Sequence, residues 1–182
     1  MATNEYLNNK DFEATILRFL QAKKNKTKYE LITEDLKNTC ERKKSRKQKV
    51  GETELLLEAN LKLLDLANVE FRESQKLLAF EFYTLSDRVV RYAKFNLIDI
   101  EDAIQEGVII CFEKVDRFEP KKGKAFNYMT TCVFNHLRQM YRTARNYGEL
   151  KKKYHDFMQI QIETRIVKGN SKSAHNSNNN KN

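Results

Sequence analysis

The chain has 182 residues and a net charge of +9, with three Cys, five Gly, one Pro and no Trp. So few turn formers exclude a sheet-rich fold, and no apolar run approaches the ~20 residues that cross a bilayer. The start MATNEYLNNKDFE lacks the apolar stretch of a signal peptide, and Cys40, Cys111 and Cys132 form no CxxC, which is the pattern of reduced thiols in a cytoplasmic protein.

From the N-terminus, DFEATILRFLQAK places Phe12, Ile16, Leu17 and Leu20 at helical spacing, which predicts a short amphipathic helix. ELITEDLKNTCERKKSRKQK predicts a second helix ending in a basic run, closed by Gly51. The next forty residues hold no breaker and predict one long helix or two nearly continuous ones, with a Leu/Ala stripe for a helix seam. Asp99 caps a further helix with acids in its first turn, and EPKKGK ends it. Helices are then expected from about Ala125 to Asn146 and from about Glu149 to Val167. The Asn/Ser-rich end predicts a disordered tail. The organisation expected is all-α: a basic helical arm over 1–50, a compact helical domain over 51–150, a helix over 151–168 and the tail over 169–182.

Charge is segregated along this order. Residues 1–50 carry +6, residues 51–115 carry −6 and residues 116–153 carry +7. No Asp or Glu occurs from Pro120 to Gly148, where six Lys and Arg do. Cations without compensating acids suit a polyanion, because each can displace counterions from phosphate.

Rotating the helix after Asp99 by 100° per residue puts Ile100, Ala103, Ile104, Gly107, Cys111 and Val115 on one side, the expected buried one. Opposite them fall Asp102, Gln105, Glu106, Ile109, Phe112 and Glu113. Two apolar groups among carboxylates describe a docking patch for a basic protein. The alternative is that the chain's own N-terminal arm covers Ile109 and Phe112. The helix from Ala125 divides likewise, with Phe126, Met129, Val133, Leu137, Met140 and Ala144 as core. Its other side shows Tyr128, Thr131, Asn135, Gln139, Arg142 and Asn146, with His136, Arg138 and Arg145 at the margins. Amides and hydroxyls read base edges, Arg holds phosphate or guanine, and Tyr stacks on an unpaired base.

No His falls at metal-ligand spacing with Cys or another His, and no Gly-rich phosphate loop or GxSxG is present. Asp102 and Glu106 at i, i+4 lack a second cluster, so no metal, no cofactor and no catalysis is expected. The pattern is that of a binding protein.

DAIQEG, then VDRFEPKKGKAF, then a polar-faced helix resembles region 2 of the sigma-seventy family of bacterial transcription initiation factors, over roughly Leu85 to Arg145. Size, NNKDF, NYMTTCVFN and the Lys-rich stretch after it resemble the small late-transcription sigma factors of T-even bacteriophages. The resemblance implies that Asp102, Gln105 and Glu106, with Ile109 beside them and Phe112 as apolar anchor, bind the clamp helices of the largest subunit of core RNA polymerase. It implies promoter DNA as the second partner. Lys121, Lys122 and Lys124 would grip phosphates, as would Arg138, Arg142 and Arg145. Tyr128 would catch an unstacked base, His136 and Gln139 would read duplex, and Thr131 and Asn135 lie on the same face.

Two departures qualify it. The melting helix has Cys132 and Val133 where bacterial relatives carry a Trp pair, so strand opening rests on other groups, which suits a factor needing a viral coactivator. The end SAHNSNNNKN has nothing apolar to insert into a sliding clamp. The implied function is a phage-encoded sigma-like factor in the host cytoplasm. The other function class is a stand-alone helical DNA- or RNA-binding regulator, which would bind DNA tightly without polymerase.

Overall fold

In the computed structural model, residues 7–46 and 49–176 are described, with side chains as far as residue 166. Four helices run in order, α1 Asn9–Ser45, α2 Gly51–Ala93, α3 Ile100–Val115 and α4 Ala125–Asn176, with a 3-10 turn at Pro120–Lys122. No strand occurs among the described residues, and the fold is the all-α one expected.

The helices are longer than the sequence reading has them. The two expected before Gly51 are a single 37-residue helix, because its polar middle, KKNKTKYE, contains no breaker. Those expected on either side of Gly148 are likewise one helix of 52 residues. Gly148 sits inside it at only the modest cost glycine carries in a helix. The tail expected over 169–182 falls beyond the described side chains. The α4 backbone enters it as far as Asn176, and residues 177–182 lie outside the described residues.

α1 and α2 form an antiparallel hairpin whose register is fixed by pairs along its length. Phe12 meets Phe82 and Phe19 meets Phe71, with ring centroids 6.0 and 5.5 Å apart. Farther out, Asn60 Nδ2 donates to Thr33 Oγ1 at 2.7 Å, and Lys43 Nζ donates to Thr53 Oγ1 at 2.7 Å. At 1.5 Å per residue the two helices are about 55 and 65 Å long. Their inward residues recur at sevens or fourteens: Phe12, Phe19, Thr33 and Cys40 on α1, and Thr53, Asn60, Ala67 and Ser74 on α2. That is a coiled-coil seam, unusually polar in its outer half.

At the base of the hairpin the seam becomes aromatic and receives α3. Ala103, Ile104, Gly107, Ile110, Cys111 and Val115 are buried, while Ile100, expected among them, is exposed in the first turn. The Asp99 carboxylate caps α3, accepting from the amides of Glu101 at 2.9 Å and Asp102 at 3.2 Å. Gly107 sets how close α3 comes. A Cβ built on it would lie 2.7 Å from Ser86 Oγ, 2.8 Å from Ser86 Cβ and 3.4 Å from Val133 Cγ1.

Contacts divide the chain into two units. One comprises Met1–Phe95 with Asp99–Leu137, and the other Asn96–Ile98 with Arg138–Asn182. In the second, every residue from Arg145 to Ile166 is exposed, including Tyr147, Leu150, Tyr154 and Phe157.

Two consequences are measurable. Gly107→Ala gains roughly 1 kcal/mol in helix propensity but overpacks a filled site at about 1–3 kcal/mol, so chemical denaturation should show a net loss. Ser86→Gly in the same chain should recover it, and unchanged stability in the single variant would mean that α3 moves outward freely. The second concerns Glu81. Burial pushes its carboxyl above the ordinary glutamate value, partly offset by the hydroxyl of Thr15 at 3.0 Å from Oε1, and Oε2 is buried without a partner among the described residues. The folded state therefore holds this proton more tightly than the unfolded state, and stability falls as pH rises from the unfolded value through the folded one. Glu81→Gln should stabilise the protein at neutral pH and remove that part of the slope. Parallel pH profiles for the two proteins would contradict the assignment.

Candidate docking and nucleic-acid surfaces

The outward face of α3 presents Asp102, Gln105 and Glu113 exposed, Glu106 half-buried and Ile109 at 51% exposure. Phe112 is half-buried, its ring packing edge-on against Phe82 at 5.0 Å and against Phe19 at 6.1 Å, so α2 and the N-terminal helix hold it on one side. The arm does cover part of one of the two apolar groups in question. Ile109 is the more exposed of the two.

Glu106 is also more than a surface charge. Its Oε2 lies 3.0 Å from His136 Nε2 on α4, so a residue expected at the protein interface and one expected to read DNA bind each other. The helical-wheel reading put them on separate faces. What it lacked was the α3–α4 approach, which Gly107 permits over Val133.

The loop between these helices is shaped by Pro120, which starts the 3-10 turn, and by Gly123 at φ 156° and ψ 179°, a conformation that only glycine adopts readily. Lys121 and Lys124 are exposed, and Lys122 Nζ bonds Glu119 Oε1 at 2.8 Å. Lys124 shares a cleft with Lys10 of α1, a cation the sequence reading did not single out because nothing local links them. The first amide of α4, that of Ala125, donates to Glu13 Oε2 at 3.3 Å, so the positive end of this helix faces a carboxylate of α1.

Tyr128 is half-buried rather than fully presented. Its hydroxyl donates to the Lys114 carbonyl at 3.2 Å, its ring lies 5.9 Å from that of Phe118, and burial pushes the phenol above its usual range. It lines a cavity of about 370 Å³ with Arg117, Phe118, Lys122, Lys124 and Thr131 among its walls. Arg117 was missed by the sequence reading, although it directly precedes the loop. Thr131 is exposed with its hydroxyl spent on the Asn127 carbonyl at 2.8 Å, and Asn135 is exposed. In the second unit Arg138, Gln139, Arg142 and Arg145 are exposed, and Arg145 Nε pairs with Glu149 Oε1 at 3.0 Å.

Cys111 is buried, which pushes its thiol up to about 12 and leaves it inert as a nucleophile at neutral pH. Among the described residues no three His, Cys, Asp or Glu side chains converge as a metal site, and no helix is long and apolar enough to cross a membrane.

Comparison with known families matches residues 82–147 to sigma-70 region 2. The match takes in the end of α2, all of α3, the loop and the first part of α4, about a third of the chain. It supports a sigma-factor-like role in transcription initiation, a non-enzymatic one in that family. No curated protein and no solved structure matches the chain.

The loop geometry can be checked by one substitution at two glycines. Gly123→Ala meets no atom yet forces a side chain onto a backbone that disfavours it, at a cost of about 1–3 kcal/mol. Gly148→Ala, in an exposed helix with equal room, should stabilise by about 0.5–1 kcal/mol. Melts giving the same sign for both would contradict the backbone assignment.

Proposed function

We propose that the protein is a sigma-like initiation factor. It binds bacterial core RNA polymerase through Asp102, Gln105, Glu106 and Ile109 on α3, with the clamp helices of the largest subunit as the contact. It directs the enzyme to a promoter element near the start site. The family match over residues 82–147 carries this reading, and the change from an acidic α3 to a loop and helix free of acids supports it. Lys121, Lys122, Lys124 and Arg117 hold the backbone around the Tyr128 cavity, whose volume of about 370 Å³ suits one unstacked base. Asn135 and His136 face duplex, as do Arg138, Gln139, Arg142 and Arg145 farther along α4, with Thr131 packing beside the cavity. The genes served are late genes of a bacteriophage in its host's cytoplasm, with a viral coactivator assisting strand opening.

The Glu106–His136 pair adds a step to this mechanism. A basic polymerase side chain that takes the Glu106 carboxylate releases the imidazole, so docking on the enzyme makes His136 available to DNA. Recognition then follows polymerase binding rather than preceding it.

The test is a binding titration against core RNA polymerase, with and without promoter DNA carrying a pre-melted bubble. Glu106→Lys should weaken polymerase binding by about tenfold or more, as reversal at a charge-complementary contact does, with the helical circular-dichroism signal unchanged. DNA should be engaged in the ternary complex and not by the free protein. Tight, salt-sensitive DNA binding by the protein alone, with no affinity for core, would make it the stand-alone regulator instead.

A further inference from the structure

Opposite the hairpin seam, α2 carries a second apolar stripe that nothing in its own unit covers. Leu55 is 69% exposed, Leu66 68%, Val69 54% and Phe80 58%. A solvated helix has no use for these side chains in line over 25 residues, about 38 Å of helix. They recur with the spacing of coiled-coil core positions: Ala59, Leu66 and Phe80 fall seven or fourteen apart, as do Leu55 and Val69.

Three charges interrupt the stripe, Lys62, Glu73 and Lys76; Lys76 falls opposite the small Ala59 in the pairing that follows, and the other two identify the occupant. The stripe is arranged symmetrically about a point between Asn68 and Ala67. Leu66 and Val69 are equidistant from that point, so are Leu55 and Phe80, and so are Lys62 and Glu73. Against a second α2 running antiparallel, each Lys62 faces Glu73 of the other copy, each Leu66 faces Val69 and each Leu55 faces Phe80. On the flank of the same pairing, Asp65 reaches Arg72 of the other copy, the same-side contact that antiparallel helices make. A parallel pair would set Lys62 against Lys62 and Glu73 against Glu73, which like-charge repulsion disfavours.

We infer that this face of α2 is a homodimer interface in which two copies pack α2 against α2, antiparallel, about a twofold axis. Such an interface is isologous and closes on itself, so association stops at the dimer. Lys62 already leans on Glu58 one turn back at 3.0 Å, a pair exposed on both sides. Exposed pairs of that kind contribute little, so Lys62 exchanges it for Glu73 of the partner at small cost.

Sedimentation velocity on the full chain tests this, with three variants. The unaltered protein should show a concentration-dependent monomer–dimer equilibrium. Lys62→Glu should weaken the dimer by about tenfold or more, since both symmetric layers then oppose Glu to Glu. Lys62→Glu with Glu73→Lys should restore it, because the pair is re-formed in reverse. Leu66→Glu should abolish it. Circular dichroism keeps folding separate, as all three positions are exposed. A monomer at every concentration would overturn the inference and assign the stripe to a different protein. So would a dimer indifferent to Lys62→Glu, or a double variant no better than the single one.

Discussion

The contact on which the rest of the molecule depends is the aromatic cluster where Phe12 and Phe19 of α1 meet Phe82 of α2 and Phe112 of α3. Its rings meet edge to face, an arrangement that adds about 0.5–1.5 kcal/mol per pair to the burial of the rings themselves. With Phe112 committed to it, α3 cannot rotate about its axis. Phe112 stands at one edge of the outward face and Ala103, Gly107 and Ile110 are buried behind it, so Asp102, Gln105, Glu106, Ile109 and Glu113 are left to fill the rest of that face. The acidic face is a consequence of where the rings go. Gly107 supplies the second coordinate, distance, and so brings Glu106 within reach of His136.

The same packing decides how the basic side is built. Glu13, carried in by α1, occupies the first amide of α4, and Lys23 of α1 pairs with Asp116 after α3. That terminal amide is therefore occupied inside the protein. The cations around the loop are the exposed ammonium groups of Lys121 and Lys124 and, in the cavity wall, Arg117. α1 is thus both a packing element for α3 and a part of the electrostatics around the loop, through Lys10 beside Lys124.

Much of this was legible in the sequence. Apolar periodicity identified most of the buried face of α3 and, on α4, Met129, Val133 and Leu137, while Phe126, Met140 and Ala144 are half-buried; Asp99 and EPKKGK marked the boundaries, because those signals are local. Three features were not. The continuity of α1 was hidden by a seam made of Thr33, Cys40 and other residues that read as surface. Phe112 sits at the edge of its wheel, and Phe82 and Phe19, the latter ninety-three residues earlier, decide which way it turns. The Glu106–His136 contact joins two faces that each helix, taken alone, assigns to solvent. Each depends on which element lies alongside, and no spacing within one helix carries that information.

The polar seam and the apolar outer stripe of α2 belong to one design. Inside the hairpin, Asn60 binds Thr33 and the Tyr29 carbonyl, Thr15 lies against Glu81, and Ser74 bonds the Phe71 carbonyl. Groups of this kind fix register while contributing little net stability, because desolvation offsets most of what their hydrogen bonds return. Along the outer half of α2, Leu55, Leu66 and Val69 lie on the opposite side, away from α1. A hairpin constructed this way is well specified but lightly held by its own contacts. Anything that binds the outer stripe stabilises the folded hairpin by mass action. Because α1 and α2 form the aromatic base that orients α3, occupation of that stripe is linked thermodynamically to the stability of the acidic face.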